Sequence, residues 1–193
     1  MQAAHVDAFL TSVFEVLGQQ AAARPERGSP VLRTGETLST HEVTVLVALQ
    51  GDLTGMMFYG MSLATAGKLT AVISGRPAGD LRQLDLEATL QLARQSVAAS
   101  VTRLAEQGCQ CVPDDPVIVQ GYGERLTAVS PVLLVPMFTE YGDIDIGLTL
   151  HTPGSIPSGV PLILARPVGA IETMAATDDD SADASARREG NAA

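Results

Sequence analysis

Aromatic residues are scarce in this sequence, which has no tryptophan and an aromatic content of only 4%. The core of any fold must therefore be built from aliphatic residues and methionine, which the hydrophobic content of 46% can supply. Long apolar runs are also lacking, since no window approaches the roughly 18 residues of a membrane span. The N-terminal segment MQAAHVDAFL lacks the basic lead-in of a signal peptide. We therefore expect no membrane segment and a cytoplasmic location.

Basic residues are few: 12 lysines and arginines stand against 22 acidic residues, which gives a net charge of -10. An acidic surface repels the phosphate backbone of DNA and RNA, so we expect no nucleic-acid partner. At 193 residues the chain is long enough for one domain with a real core.

Cysteine is limited to Cys109 and Cys111, which are separated by one residue. A disulfide between such close neighbours would be strained, so we expect two reduced thiols, as is usual in the cytoplasm. The histidines lie far apart, and none has an acid or a cysteine at the spacing of metal ligands. The sequence therefore predicts no metal site.

The order of the hydrophobic patterns predicts an α/β (α+β) fold, in which a largely antiparallel sheet packs against an N-terminal helix and two central helices. The GDLTG segment (51–55) predicts a hairpin turn between two strands. Pro131 and Pro136 predict an edge position or a bulge for the strand that contains them. The helix over 62–75 is expected to be capped by Ser62 and to end near Gly75. The predicted helices are 4–22, 62–75 and 84–108, and the predicted strands are 30–35, 42–50, 56–62, 113–123, 130–140 and 143–151.

The composition changes after His151, which suggests a boundary at that point. Residues 1–151 are predicted to form one domain, and 152–176 an extension with one short apolar patch that would pack back onto it. Residues 177–193 have no apolar periodicity and are predicted to be a disordered acidic tail.

The helix predicted over 84–108 carries chemistry-bearing side chains along one edge. Its apolar residues fall within a stripe roughly 80° wide that is expected to face the core; they are Leu86, Leu90, Ala93, Val97, Val101 and Leu104. Glu87, Gln91, Arg94 and Ala98 fall together beside this stripe, in a partly exposed border position. By composition alone, this edge is expected to be a solvated rim, whose side chains pair at i,i+3 and i,i+4, rather than a functional site.

Four short motifs stand in an order that resembles the CheX branch of the CheC/CheX/FliY family. They are PERGSPVL (25–32), LQGDLTGMMFYGMS (49–62), LAEQG (104–108) and DPVIVQGYG (115–123). The resemblance covers residues 1 to about 150. It implies a CheX-like fold and a role in chemotaxis or two-component signalling, together with a homodimer joined through sheet edges.

Members of this family dephosphorylate the aspartyl phosphate of CheY-type response regulators. The resemblance implies an E-x-x-N motif on the long helix, in which the amide orients the attacking water and the carboxylate pairs with a lysine of the regulator. The regulator supplies its own Mg²⁺, so catalysis consists of positioning and electrostatics, and no cofactor is expected on this chain.

This sequence departs from the motif at both positions, because counting back from Leu104 places the glutamate position on Gln91 and the asparagine position on Arg94. Gln91 can accept a hydrogen bond from the ammonium group of a lysine, but it cannot form an ion pair with it. Arg94 has only donors, so it cannot accept a hydrogen bond from a water nucleophile, although it can bind phosphate.

Glu87 and Gln91 offer another route, since they form an acid and an amide at the i,i+4 spacing. The unrelated chemotaxis phosphatase CheZ is similar in using an acid and a glutamine at that spacing. In this hypothesis Glu87 pairs with the regulator's lysine, Gln91 orients water and Arg94 contacts the phosphate. The alternatives are a catalytically inactive module that binds a receiver domain, and a dimerisation domain that has lost receiver contact.

Overall fold

The protein is described by a computed structural model that covers residues 2–34, 37–76, 87–121, 125–127 and 131–153. These residues form three helices and ten strands. In chain order they are α1 (Ala3–Ala21), β1 (Glu26–Arg27), β2 (Val31–Arg33), β3 (Thr37–Ser39), β4 (Val43–Gly51), β5 (Thr54–Met61), α2 (Leu63–Ser74), α3 (Glu87–Glu106), β6 (Cys111–Pro113), β7 (Val117–Gln120), β8 (Arg125–Thr127), β9 (Val132–Thr139) and β10 (Gly142–His151).

Eight of the strands form one antiparallel sheet, whose centre has the order β9-β10-β5-β4. The short strands β1 and β2 pair one after the other with the outer side of β9, and β6 and β7 pair in the same way with β4. The strands β3 and β8 form a separate two-stranded ribbon. The predicted fold, an antiparallel sheet with an N-terminal helix and two central helices, is confirmed.

The predicted hairpin joins β4 to β5, and its two glycines are required for different reasons. Gly51 has a φ of +124°, a backbone conformation that residues other than glycine rarely adopt. A Cβ atom on Gly55 would lie 1.7 Å from the carbonyl oxygen of Thr149 in β10. The turn therefore needs the first glycine for its backbone angle, and the sheet needs the second for the close approach of β10.

The two strands that contain prolines differ from the prediction. β9 lies one strand inside the sheet edge, so the expected edge position is wrong. Pro136 is tolerated there because its outer side faces the interruption between β1 and β2, where the carbonyl of Pro136 accepts a hydrogen bond of 2.8 Å from the amide of Gly28. The strand predicted over 113–123 is divided into β6 and β7, with Pro116 in the break.

The helices cover one face of the sheet, and the core lies between the two layers. Alternate residues of the central strands point into it. On the sheet side, the buried residues include Val43, Val45, Val47, Met57, Met61, Ile144, Ile146 and Leu148. The opposite face carries a smaller cluster, whose buried members are Leu46, Met56, Phe58 and Val132. Aliphatic residues and methionine thus supply most of the core, as the shortage of aromatic residues predicts.

The three helices are held in place at their ends and along their flanks. Ser62 caps α2 by accepting a hydrogen bond from the amide of Thr65 at 3.0 Å, and Gly75 ends the helix with a φ of +66°, as predicted. An ion pair between Arg103 of α3 and Glu15 of α1 links these two helices, which pack against each other. The predicted extension 152–176, apart from its first two residues, and the predicted tail 177–193 lie outside the described residues.

Candidate functional site

The candidate site lies on α3, which the fold holds along most of its length. The helix contacts α1 over a long flank and α2 through the hydroxyl groups of Thr89 and Thr70, which are 3.4 Å apart. It ends at Glu106, and two residues later Gly108, with a φ of +82°, donates its backbone amide to the carbonyl of Ala105 in the last turn. An exposed side chain on α3 is therefore presented from a fixed backbone.

The buried face of α3 is not centred on the predicted stripe. Ala93, Val97 and Leu104 are buried as predicted, but Leu90 and Val101 are only partly buried, and Leu86 lies outside the described residues. The full buried set is Ala88, Thr89, Leu92, Ala93, Ser96, Val97, Ser100 and Leu104. At about 100° per residue, the centre of this set is rotated by roughly 80° from the centre of the predicted stripe.

Small polar residues explain the rotation, because they occupy core positions that the apolar pattern assigned to the surface. Ser96 and Ser100 are both 0% exposed. The Ser100 hydroxyl donates to the carbonyl of Ser96 at 2.7 Å, so it needs no partner from another element. On the facing helix, Ser12 is also 0% exposed and donates to the carbonyl of Ala8 in the same way.

The rotation moves Glu87, Gln91, Arg94 and Ala98 from the predicted border to the side opposite the core. All four are exposed. The predicted border position is therefore wrong, and we call these four residues the outer face of α3. Since this face points to solvent, a partner can reach it without any rearrangement of the core.

An ion pair crosses the outer face. The Nη1 atom of Arg94 donates to the Oε1 atom of Glu87 at 2.8 Å, and the side chains remain 46% and 64% exposed, respectively. The two residues are seven apart, so the pair spans two helical turns and passes beside Gln91. The sequence suggested pairing at i,i+3 or i,i+4. This longer connection was missed, although two opposite charges seven residues apart on one face were the available signal.

The outer face offers a small set of polar groups with distinct abilities. The Glu87 carboxylate only accepts hydrogen bonds when ionised, the Gln91 amide both donates and accepts, and the Arg94 guanidinium only donates. Ala98 leaves the next turn open to close approach. This arrangement suits contact with a charged surface on another protein. A separate cleft of about 360 Å³ is lined by residues that include His41, Ser62, Thr65 and Asp145, and none of the four residues of the outer face lines it.

The other polar groups singled out in the sequence do not form a metal site. Among the residues that the structure describes, no three His, Cys, Asp or Glu side chains converge to hold a metal ion. His41 pairs with Asp145 of β10 at 3.0 Å, a contact that sequence spacing alone does not predict.

The two cysteines are free and buried, with their sulfur atoms 3.8 Å apart. Burial, together with the neighbouring Cys111 thiol, raises the pKa of Cys109 to about 11. Since the thiolate is the reactive form, this thiol is not a nucleophile at neutral pH.

Within the described part of the chain, no helix combines the length and apolar character needed to cross a membrane. No protein-family model matches the sequence. A curated relative, the CheY-P phosphatase CheX of Thermotoga maritima, is 24% identical over 157 residues, which represent 80% of this chain and 100% of that protein.

Solved structures share the fold of this chain. The chemotaxis protein CheX from Desulfovibrio desulfuricans superposes with a TM-score of 0.69 at 20% identity, over 76% of this chain and 99% of that one. CheX in the CheX–CheY–BeF3–Mg²⁺ complex from Borrelia burgdorferi superposes with a TM-score of 0.62 at 19% identity, over 78% of this chain and 99% of that one. The resemblance that the motifs predict is confirmed, since this chain is similar to CheX proteins in sequence and in fold.

Proposed function

We propose that this chain acts in chemotaxis or two-component signalling by docking the outer face of α3 onto a phosphorylated CheY-type receiver domain. The observation that carries the proposal is the outer face itself, which presents Glu87, Gln91 and Arg94 to solvent from a helix fixed by α1 and α2. The resemblance assigns receiver contact to two of these helix positions, Gln91 and Arg94. The relative named as a CheY-P phosphatase and the similar structure in complex with CheY support it further.

In the catalytic form of this proposal, the outer face hydrolyses the aspartyl phosphate of the receiver. Glu87 pairs with a lysine of the receiver, and the Gln91 amide oxygen accepts a hydrogen bond from the attacking water and orients it. Glu87 and Gln91 lie about 6 Å apart along the helix axis, so they address neighbouring points of one partner site. The receiver supplies Mg²⁺, and this chain holds no cofactor of its own in the proposed reaction.

A second candidate function is a catalytically inactive module that binds the phosphorylated receiver. It is favoured by the ion pair of 2.8 Å between Arg94 and Glu87, which engages the carboxylate that catalysis requires. Arg94 also occupies the position where the resemblance expects an amide, and it cannot accept a hydrogen bond from water.

We also propose that the protein is cytoplasmic and forms a homodimer through a sheet edge. Both edges of the large sheet expose apolar side chains, which are rarely left on a strand edge without a partner. On the β2 edge, Val31 and Leu32 are 44% and 58% exposed, and on the β6–β7 edge, Val112 and Val117 are 67% and 57% exposed. Mass measurement in solution tests the dimer, and Leu32→Lys and Val117→Lys identify the edge that joins the subunits.

The central test follows the decay of phosphorylated receiver domains with and without this protein. If the outer face is catalytic, the wild-type protein accelerates decay and Gln91→Ala abolishes the acceleration. Gln107→Ala is the matched control, because Gln107 is exposed just beyond the end of α3, away from the outer face. Binding with unchanged decay supports the inactive module. An absence of both binding and acceleration would contradict receiver engagement.

A further inference from the structure

We propose that the ion pair between Glu87 and Arg94 exchanges partners when a phosphorylated receiver docks, and that Arg94 thereby makes binding selective for the phosphorylated form. In the exchange, the guanidinium of Arg94 leaves Glu87 and donates to oxygens of the phosphoryl group. Glu87 loses its bond to Arg94 and meets a cation of the partner. The inference rests on the proposed docking of the outer face, and it assigns a specificity-determining role to Arg94.

The charges on α3 single out Arg94 for this role. It is the cation among the four residues of the outer face, and its guanidinium is 46% exposed. The second arginine of the helix, Arg103, is engaged by Glu15 on the flank that faces α1. The whole chain has a net charge of -10, which disfavours the approach of a phosphoryl dianion. The exposed guanidinium of Arg94 offsets this repulsion locally, on the outer face of α3.

The ion pair is suited to exchange because it is exposed. Pairs of this kind contribute little to stability, since water solvates both charges and salt screens them. Within an interface, the same guanidinium can form two parallel hydrogen bonds to a phosphoryl group, and such bonds strengthen as water is excluded. The interaction of Arg94 with the phosphoryl group is therefore more favourable than its interaction with Glu87. A receiver without the phosphoryl group has no group that replaces the Glu87 carboxylate.

Pairing also keeps the outer face electrically neutral while the protein is free. An isolated guanidinium would attract any anionic surface, whereas the paired one is partly neutralised by Glu87 at 2.8 Å. A partner that supplies an anion for Arg94 and a cation for Glu87 replaces the bond between these two residues. Selectivity thus comes from the exchange of this bond for contacts with the phosphorylated partner.

The experiment measures the affinity of this protein for purified CheY-type receiver domains of the same cell, each with and without BeF3⁻ and Mg²⁺ as the phosphoryl mimic. For the wild type we expect tighter binding of the BeF3⁻ form. Arg94→Gln should reduce the ratio of the two affinities by roughly 10- to 100-fold, the range for a lost hydrogen bond to a charged group. Arg94→Lys, which keeps the charge but loses the fork, should give an intermediate ratio.

Arg103→Gln is the matched control, because it removes the same charge from the same helix but from the flank against α1. Both variants make the net charge more negative by one, so a general electrostatic effect would lower binding equally in the two. The inference is overturned if Arg94→Gln retains the wild-type affinity ratio, or if Arg103→Gln reduces the ratio as much. If the wild type binds neither form of any receiver, the proposed docking fails and this inference fails with it. Circular dichroism confirms folding, and Arg94→Lys provides a second variant.

Discussion

The ion pair on the outer face should contribute almost nothing to the stability of the folded protein. Its partners are 46% and 64% exposed, so each charge remains hydrated and the attraction is screened. Exposed pairs typically contribute about 0.2–1 kcal/mol, and holding two long side chains across two turns costs conformational entropy. We therefore expect a coupling energy of about 0.5 kcal/mol or less. A buried pair of the same length would cost about 3–5 kcal/mol when one partner is removed.

A double-mutant cycle measures this coupling directly. Glu87→Gln removes the charge and keeps the shape of the side chain, and Arg94→Gln removes the charge with a shorter polar side chain. Urea unfolding of the wild type, the two single variants and the double variant isolates the interaction between the two residues. The coupling should disappear at about 1 M salt, where the screening length falls to about 3 Å. A coupling above about 1.5 kcal/mol would refute the reasoning, because a partner would then have to supply more than an exposed pair contributes in order to open it.

Three further predictions concern the scaffold that presents the helix. Gly147→Ala should destabilise the protein by about 1–3 kcal/mol in urea unfolding, because a Cβ atom on residue 147 would lie 1.9 Å from the Phe58 ring. An unchanged urea midpoint would contradict the close packing of Phe58 on Gly147. Tyr141→Phe should lower stability by about 1 kcal/mol, since the phenol donates to the carbonyl of Ala21 at 2.7 Å, and a melting temperature equal to that of the wild type would show that the bond contributes nothing. Folding raises the pKa of Cys109 from 9.0 to about 11, so the unfolded chain loses this proton at a lower pH than the folded protein. The free energy of unfolding should therefore fall as the pH rises from 9.0 to about 11. Cys109→Ala should lose this part of the pH dependence.

Local patterns predict much of the fold because several elements are determined by their own residues. A serine caps the start of α2 and a glycine in the left-handed region follows its end, so the sequence predicts both ends of the helix. The hairpin between β4 and β5 is equally local, since Gly51 supplies the backbone angle of the turn. In each case the signal and the structure lie within a few residues of one another.

The orientation of α3 could not be predicted in the same way, because it depends on which neighbours the helix packs against. A count of apolar residues assigns Ser96 and Ser100 to the surface, yet both are 0% exposed. Small side chains let α1 and α3 approach closely, and the Ser100 hydroxyl can be buried without a large penalty because it bonds to the carbonyl of Ser96 within its own helix. A hydrophobic stripe therefore misplaces the core face wherever small polar residues line a helix contact.

The sequence located the candidate residues but not the contact between two of them, and that contact changes the chemistry expected of the site. Hydrolysis of an aspartyl phosphate needs an acceptor for the attacking water and a charge for the partner's lysine. Only Gln91 and Glu87 of the outer face can meet these needs, because Arg94 has no acceptor. Glu87 is engaged by Arg94 at 2.8 Å in the free protein. If a phosphoryl group draws Arg94 away, then Glu87 loses its bond to Arg94 only in the complex, where its charge can serve the reaction. Recognition of the phosphoryl group and any catalysis on it would therefore depend on the opening of one ion pair.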